Sequence, residues 1–245
     1  MKDFNEVNEK MTIKEIVIKN FNTTSVLDKY NIDYLFDGNI SLEVVSAKNA
    51  ISLSYLKKEL NKILNNKNLY ADNYNEWDLP TLTNYILQNH HKYVSEAIIK
   101  IKNKIDEFEN SSGSEFISDI KNTFQKLTKE MENHMKKEET ISFPYVNYLL
   151  SCKKFNEKPK IRREGSIKKN LITLENEHAS ASNALIKIKE IIRKYSLLNT
   201  YKIVLTELNG LIIEFDKDLK KHVHLENNIL FPKIEKLENQ LMKLR

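Results

Sequence analysis

The chain has 245 residues, of which 30% are charged and 40% belong to the apolar set that builds cores, a balance that supports a sizeable core and excludes global disorder. Four glycines and four prolines are too few for a sheet-rich, turn-rich fold, and no glycine-rich phosphate loop can be written from them. The net charge of +5 comes with 35 Lys, only 4 Arg and 29 Asn; this reads as base composition, and the scarcity of the forked guanidinium argues against a nucleic-acid reader.

The single cysteine, Cys152, excludes a disulfide framework and a cysteine-ligated metal site, and fits a reducing compartment. The opening MKDFNEVNEK has acids and no apolar run, unlike a signal peptide, and no apolar stretch approaches the ~18 residues of a membrane span. These features predict a cytoplasmic, mostly helical protein with no membrane partner.

Residues 1–10 are polar and read as a flexible tail. Thr12 followed by Glu15 makes a capping box, after which Ile13, Ile16, Val17 and Phe21 form an apolar face. Ser41 and Ser52 each precede a further short apolar pattern, and Asp37-Gly38-Asn39 between them reads as a turn. Residues 11–65 are therefore expected to form a small helical domain, and the Asn-rich, aperiodic stretch 66–79 a linker.

From Pro80 the pattern becomes four long apolar seams at 3-4 spacing. The first runs Leu87, His91, Val94, Ile98, Ile101, Ile105, Phe108, and the second Ile120, Phe124, Leu127, Met131, His134, Glu138, Ile141, Tyr145, Tyr148. The third runs Leu171, Leu174, His178, Ala181, Leu185, Ile188, Ile192, Tyr195, and the fourth Leu205, Leu208, Ile212, Phe215, Leu219, His222, Glu226, Ile229. With breaks at 110–113, 151–168 and near Asn199, residues 80–245 predict an antiparallel four-helix bundle, and the chain an all-α fold.

Each seam is interrupted by the same kind of polar residue: His91; His134 and Glu138; His178; His222 and Glu226. A carboxylate inside a bundle is costly unless paired or metal-bound, and His-x-x-x-Glu places both side chains on one helix face. His91 to His178 is 87 residues, while His134 to His222 and Glu138 to Glu226 are each 88. The flanks HMKKEETISFP (134–144) and HVHLENNILFP (222–232) also match, so the bundle reads as two similar hairpins whose pseudo-twofold core gathers four imidazoles and two carboxylates. Two octahedral metals accommodate this set: the histidines, two bridging carboxylates and a bridging oxygen leave one open position on each metal, and such a paired site in a bundle favours iron.

This pattern resembles a hemerythrin-like di-iron domain, and TIKEIVIKNFNTTSVLDKYNIDYLFDGNISLEVV resembles the leading domain of the Repair of Iron Centres family. The resemblance implies a cytoplasmic protein that restores iron–sulfur clusters after nitrosative or oxidative damage, with two oxo- and carboxylate-bridged iron ions held by His91, His134, Glu138, His178, His222 and Glu226. It also implies nitric oxide or oxygen as small ligands, damaged iron–sulfur proteins as clients, and a homodimer through the leading domain. The family's adjacent cysteine pair is replaced by Leu35 and Phe36, which suits a packing or dimer-contact role. Glu130, four residues before His134, and Glu177, directly before His178, resemble family acids near the metal pocket that orient a ligand or relay protons, with a solvated helix glutamate as the alternative.

The helix period puts His91 on the seam and its neighbour His90 on a flank, as a supporting or surface residue, while His224 falls with Lys217 and Lys221 on the wet face. The basic segment 152–170 reads as a solvated loop, and Tyr145, Tyr148 and Tyr195 as caps on the core. The leading functional expectation is cluster repair, through iron delivery or nitric oxide reduction; the alternative is a hemerythrin-like oxygen or nitric oxide binder or redox sensor without repair activity.

Overall fold

The computed structural model describes residues 6–66, 73–112, 115–160 and 166–244. Residues 1–5 of the expected tail, 67–72 of the expected linker, Gly113 in the expected break and 161–165 of the basic loop lie outside the described residues. The fold is all-α and divides into two compact units, Met1–Asp78 and Leu79–Arg245.

The first unit contains α1 (Ile13–Lys19), α2 (Thr24–Lys29), α3 (Leu42–Lys48) and α4 (Leu53–Asn65). Thr12 accepts from the Glu15 amide while the Glu15 carboxylate accepts from the Thr12 amide, so the Thr-x-x-Glu spacing closes a capping box on α1. Ile13, Ile16, Leu27, Leu42, Val45, Leu56 and Leu60 form its core. In the Asp37–Asn39 turn, a Cβ on Gly38 would lie 2.9 Å from the Tyr34 carbonyl oxygen, which only glycine avoids. Leu35 packs against the core, whereas Phe36 is 50% exposed.

The second unit is the bundle: α5 (Leu79–Tyr85), α6 (Lys92–Ser112), α7 (Glu115–Lys137), α8 (Phe143–Phe155), α9 (Ile167–Tyr195), α10 (Lys202–Leu225) and α11 (Phe231–Met242). Helix α6 packs on α7 and α10, and α9 on the same two, which closes the four-helix ring. Three of the four rods are interrupted by a π turn, at Ile86–His91, Glu138–Ser142 and Glu226–Leu230. Each π turn carries an extra residue, so the helix joins α5 to α6, α7 to α8 and α10 to α11 without a break but with a rotated seam.

That rotation corrects the simple 3.6 register. Before His91 the buried apolar positions include Leu82 and Ile86 but not Leu87, and after Glu138 Ser142, Val146 and Leu149 join the expected Tyr145 in the interior. Ile141 is half-buried and Tyr148 is exposed, with its hydroxyl accepting from the Lys160 amide. Tyr145 donates to the buried carboxylate of Glu238 at 2.7 Å, and Glu238 also receives the amide of Ile167 at the start of α9. Tyr195 stacks on Phe116 at the opposite end. Among the described residues no helix is long and apolar enough to cross a membrane.

Candidate metal centre

All six polar residues of the seams converge at one level of the bundle. Ligand atoms of His134, Glu138, His178, His222 and Glu226 lie within 4.8 Å of one another, and all five residues are buried. His91 joins through Glu138, whose Oε2 stands 3.1 Å from its Nε2. Periodicity accounts for the convergence on α7, α9 and α10; on α6 and at the two glutamates the π turns set the final aim.

The histidines fall into two pairs. His134 and His178 have ring centres 4.5 Å apart and Nε2 atoms 3.0 Å apart, while His91 and His222 have ring centres 5.5 Å apart. Both carboxylates touch both pairs. Glu138 Oε2 is 3.1 Å from His91 Nε2 and 3.4 Å from His134 Nε2. Glu226 Oε1 is 2.9 Å from His222 Nε2, and its Oε2 is 3.1 Å from His178 Nε2.

The outer nitrogens of three rings are fixed. His91 Nδ1 meets Glu139 at 2.8 Å, His134 Nδ1 meets Glu177 at 3.0 Å, and His178 Nδ1 meets Asn227 at 2.9 Å. An acceptor on Nδ1 assigns the hydrogen to that nitrogen and turns the Nε2 lone pair inward. Phe143 stacks on His91 and Phe231 on His178, so the repeated Phe-Pro that opens α8 and α11 forms a lid over each single-histidine ring.

These residues fit a bound cation. Glu138 Oε1, both carboxylate oxygens of Glu226 and His222 Nε2 are buried without an aligned hydrogen bond among the described residues, despite their short approach distances. Two Nε2 lone pairs at 3.0 Å, each set inward by its own acceptor, repel unless a proton or a metal lies between them. Burial opposes charge on His134, but Glu138, then Glu177 and Glu226, reverse that and hold it well above the usual imidazole value. His91 is raised on the same balance, burial being outweighed by Glu138 and Glu139. Burial would raise Glu226, yet the imidazoles of His222, His134 and His178 take it well below the usual carboxylate range. His222 goes the other way: burial of its enclosed ring lowers it despite Glu226 and Glu138.

The acids beyond this face separate. Glu177 bonds His134 and Lys137, and its carboxyl is pulled down to about 2, foremost by the His134 bond. Glu130 does not touch the ligands; it accepts from Ser180 at 2.9 Å in a surface groove between α7 and α9.

One expectation is narrowed and another corrected. Of the two roles expected for His90, supporting or surface, the structure keeps the first: it is 2% exposed and stacks on His222, because the π turn spaces residues so that neighbours 90 and 91 both face inward. His224 is buried rather than wet, and pairs with Asn228. Its face of α10 is covered along Asp218 and Lys221 by the 85–90 segment, through His90–Asp218 and Tyr85–Lys221 bonds. Sequence reasoning also passed over Glu139, Asn227, Phe143 and Phe231, although all four lie in the matched flanks 134–144 and 222–232 at equivalent positions.

Comparison with known proteins agrees with this geometry. Residues 82–234 match the family described as Hemerythrin HHE cation binding domain. The chain is 24% identical over 234 residues to a probable iron-sulfur cluster repair protein of Haemophilus influenzae, covering 91% of this chain and 95% of that one. It is 23% identical over 230 residues to iron-sulfur cluster repair protein YtfE of Pectobacterium atrosepticum, with 91% and 95% covered. It is 22% identical over 233 residues to iron-sulfur cluster repair protein ScdA of Staphylococcus haemolyticus, with 93% and 99% covered.

Proposed function

We propose that this chain, which belongs to the hemerythrin HHE cation-binding family, is a non-haem di-iron protein that serves the repair of iron–sulfur clusters damaged by nitrosative or oxidative stress. The observation that carries the reading is the two-pair arrangement, in which each of two buried carboxylates touches histidines of both pairs. The likeness, over 91–93% of this chain, to proteins named for cluster repair supports the biological half of it. A cytoplasmic setting suits the single free Cys152.

Bound iron supplies Lewis acidity and redox chemistry toward small diatomics such as nitric oxide or oxygen. The chain's own residues do the rest. His134 and His178 would hold one iron and His91 and His222 the other, with Glu138 and Glu226 in reach of both pairs. Glu139, Glu177 and Asn227 fix the ring orientations, and the two phenylalanine lids limit water. Each carboxylate lies in reach of both positions, so it could keep one contact while giving up the other.

The test is recovery of activity by an iron–sulfur enzyme inactivated with nitric oxide. Iron-loaded protein should restore activity, and the apo-protein should not. Equal recovery with both, or none with either, rules repair out. The alternative, reversible oxygen or nitric oxide binding or redox sensing without repair, draws on one feature: Leu35 and Phe36 stand in the turn of the leading unit where the resembled family has two thiols. Reversible ligand binding without enzyme recovery selects it.

A further inference from the structure

The pseudo-twofold pairs His134 with His222, each opening a His-x-x-x-Glu, and Glu177 with His90, each directly preceding the single ligand histidine of its hairpin. In one half, Glu177 meets His134 Nδ1 at 3.0 Å and is gripped by Lys137. In the other half the equivalent position carries an imidazole. The His90 ring stacks on His222, with centres 5.6 Å apart and planes 13° apart, and its Nδ1 is committed to Asp218 Oδ1 at 2.9 Å. No described residue hydrogen-bonds His222 Nδ1, although the ring is completely buried.

We propose that His90, fixed by Asp218, is a positioning residue that makes the two metal positions unequal, so that the metal held by His91 and His222 exchanges faster than the one held by His134 and His178. This rests on the di-iron reading. An acceptor on the outer nitrogen orients an imidazole ligand and raises its basicity, and removing one typically costs roughly 10–100-fold in metal affinity. His134 and His178 both have such an acceptor; of the other pair only His91 does. A stacked ring restrains the plane of His222 but offers its Nδ1 nothing to donate to.

The test loads the full chain anaerobically with ferrous iron, measures the stoichiometry, and then follows release to an excess of a ferrous chelator. Wild type should bind two irons and release them in two phases of equal amplitude, with rates on the order of tenfold apart. The double substitution His90→Glu with Asp218→Asn places an acid in the Glu177-equivalent position and should slow the fast phase several-fold. Glu177→Gln should speed the slow phase and leave the fast one alone. Apo-protein melts within a few degrees of wild type confirm that these changes act on the ligands and not on packing.

A single release phase for two bound irons overturns the proposal, as does a fast phase that the double substitution leaves unmoved. If that variant does not load, Glu177→Gln decides: a slow phase it fails to accelerate overturns the proposal. Fewer than two irons on wild type overturns the di-iron reading itself, and the loading step shows this before any release is followed.

Discussion

A carboxylate enclosed in protein costs several kcal/mol unless it is paired or bound to a cation. Glu226 is enclosed completely, and neither of its oxygens has an aligned hydrogen bond among the described residues. Glu226→Leu should therefore lower iron content to one per chain or less, yet leave the apo-protein at least as stable as wild type, because it removes the cost of enclosing a charge. Thermal melts of the apo forms beside their iron content check this; a clear loss of apo stability with iron retained assigns the residue to packing. Glu177 gives the pH dependence. Its carboxyl is held at about 2, chiefly by the His134 bond, below the ordinary 4.5. A depressed acid contributes stability that is complete above 4.5 and is lost as pH falls through about 2. The apo Glu177→Gln variant should accordingly lose less stability than wild type across that window in acid titrations followed by circular dichroism. His91→Ala should remove at least one iron, whereas His90→Ala should retain two, since only His91 approaches a shared carboxylate. Equal iron content in the two variants contradicts the ligand assignment.

At the scale of the helix, what was legible in the sequence and what was not both come down to the period. His134, His178 and His222 could be brought together from spacing because α7, α9 and α10 keep a regular register up to them, and His91, Glu138 and Glu226 were placed on the same seams by spacing although π turns set their final aim. The inward turn of His90, the shift from Leu87 to Ile86, and the exposure of Tyr148 could not, because a π turn adds a residue without any marker in composition. Burial of His224 was hidden for a different reason: a segment more than a hundred residues earlier in the chain covers that face, as the Tyr85–Lys221 bond shows. Between these sites α10 is an ordinary helix. Gly210 lies in its interior, and a Cβ there meets nothing within 4 Å. Gly210→Ala should raise stability by about 0.5–1 kcal/mol with iron content unchanged, as denaturant melts would show; destabilisation would mean that the helix there needs glycine's freedom.

Across the whole molecule, the short helices of the first unit and the long seams of the second were readable as separate patterns, and the structure divides the chain at Asp78 and Leu79. The larger unit repeats one design twice: a single-histidine helix, then His-x-x-x-Glu running through a π turn into a Phe-Pro helix. The repeat was visible in the matched flanks, but the use of Glu139 and Asn227 as partners for the single histidine of their own hairpin appears only in three dimensions. In each hairpin one glutamate faces the ligand layer and the next residue orients the ring on the neighbouring helix of that hairpin, so the twofold builds the site and its support from the same short stretch. The departures from symmetry, Glu177 against His90 and Glu139 against Asn227, lie around the ligands and not among them. The central claim is that this core holds a pair of irons, and elemental analysis of full-length protein prepared without oxygen tests it most directly. Two irons per chain, with absorption near the ultraviolet edge after oxidation, is the result expected; one tightly held zinc and no iron after anaerobic ferrous loading would contradict it.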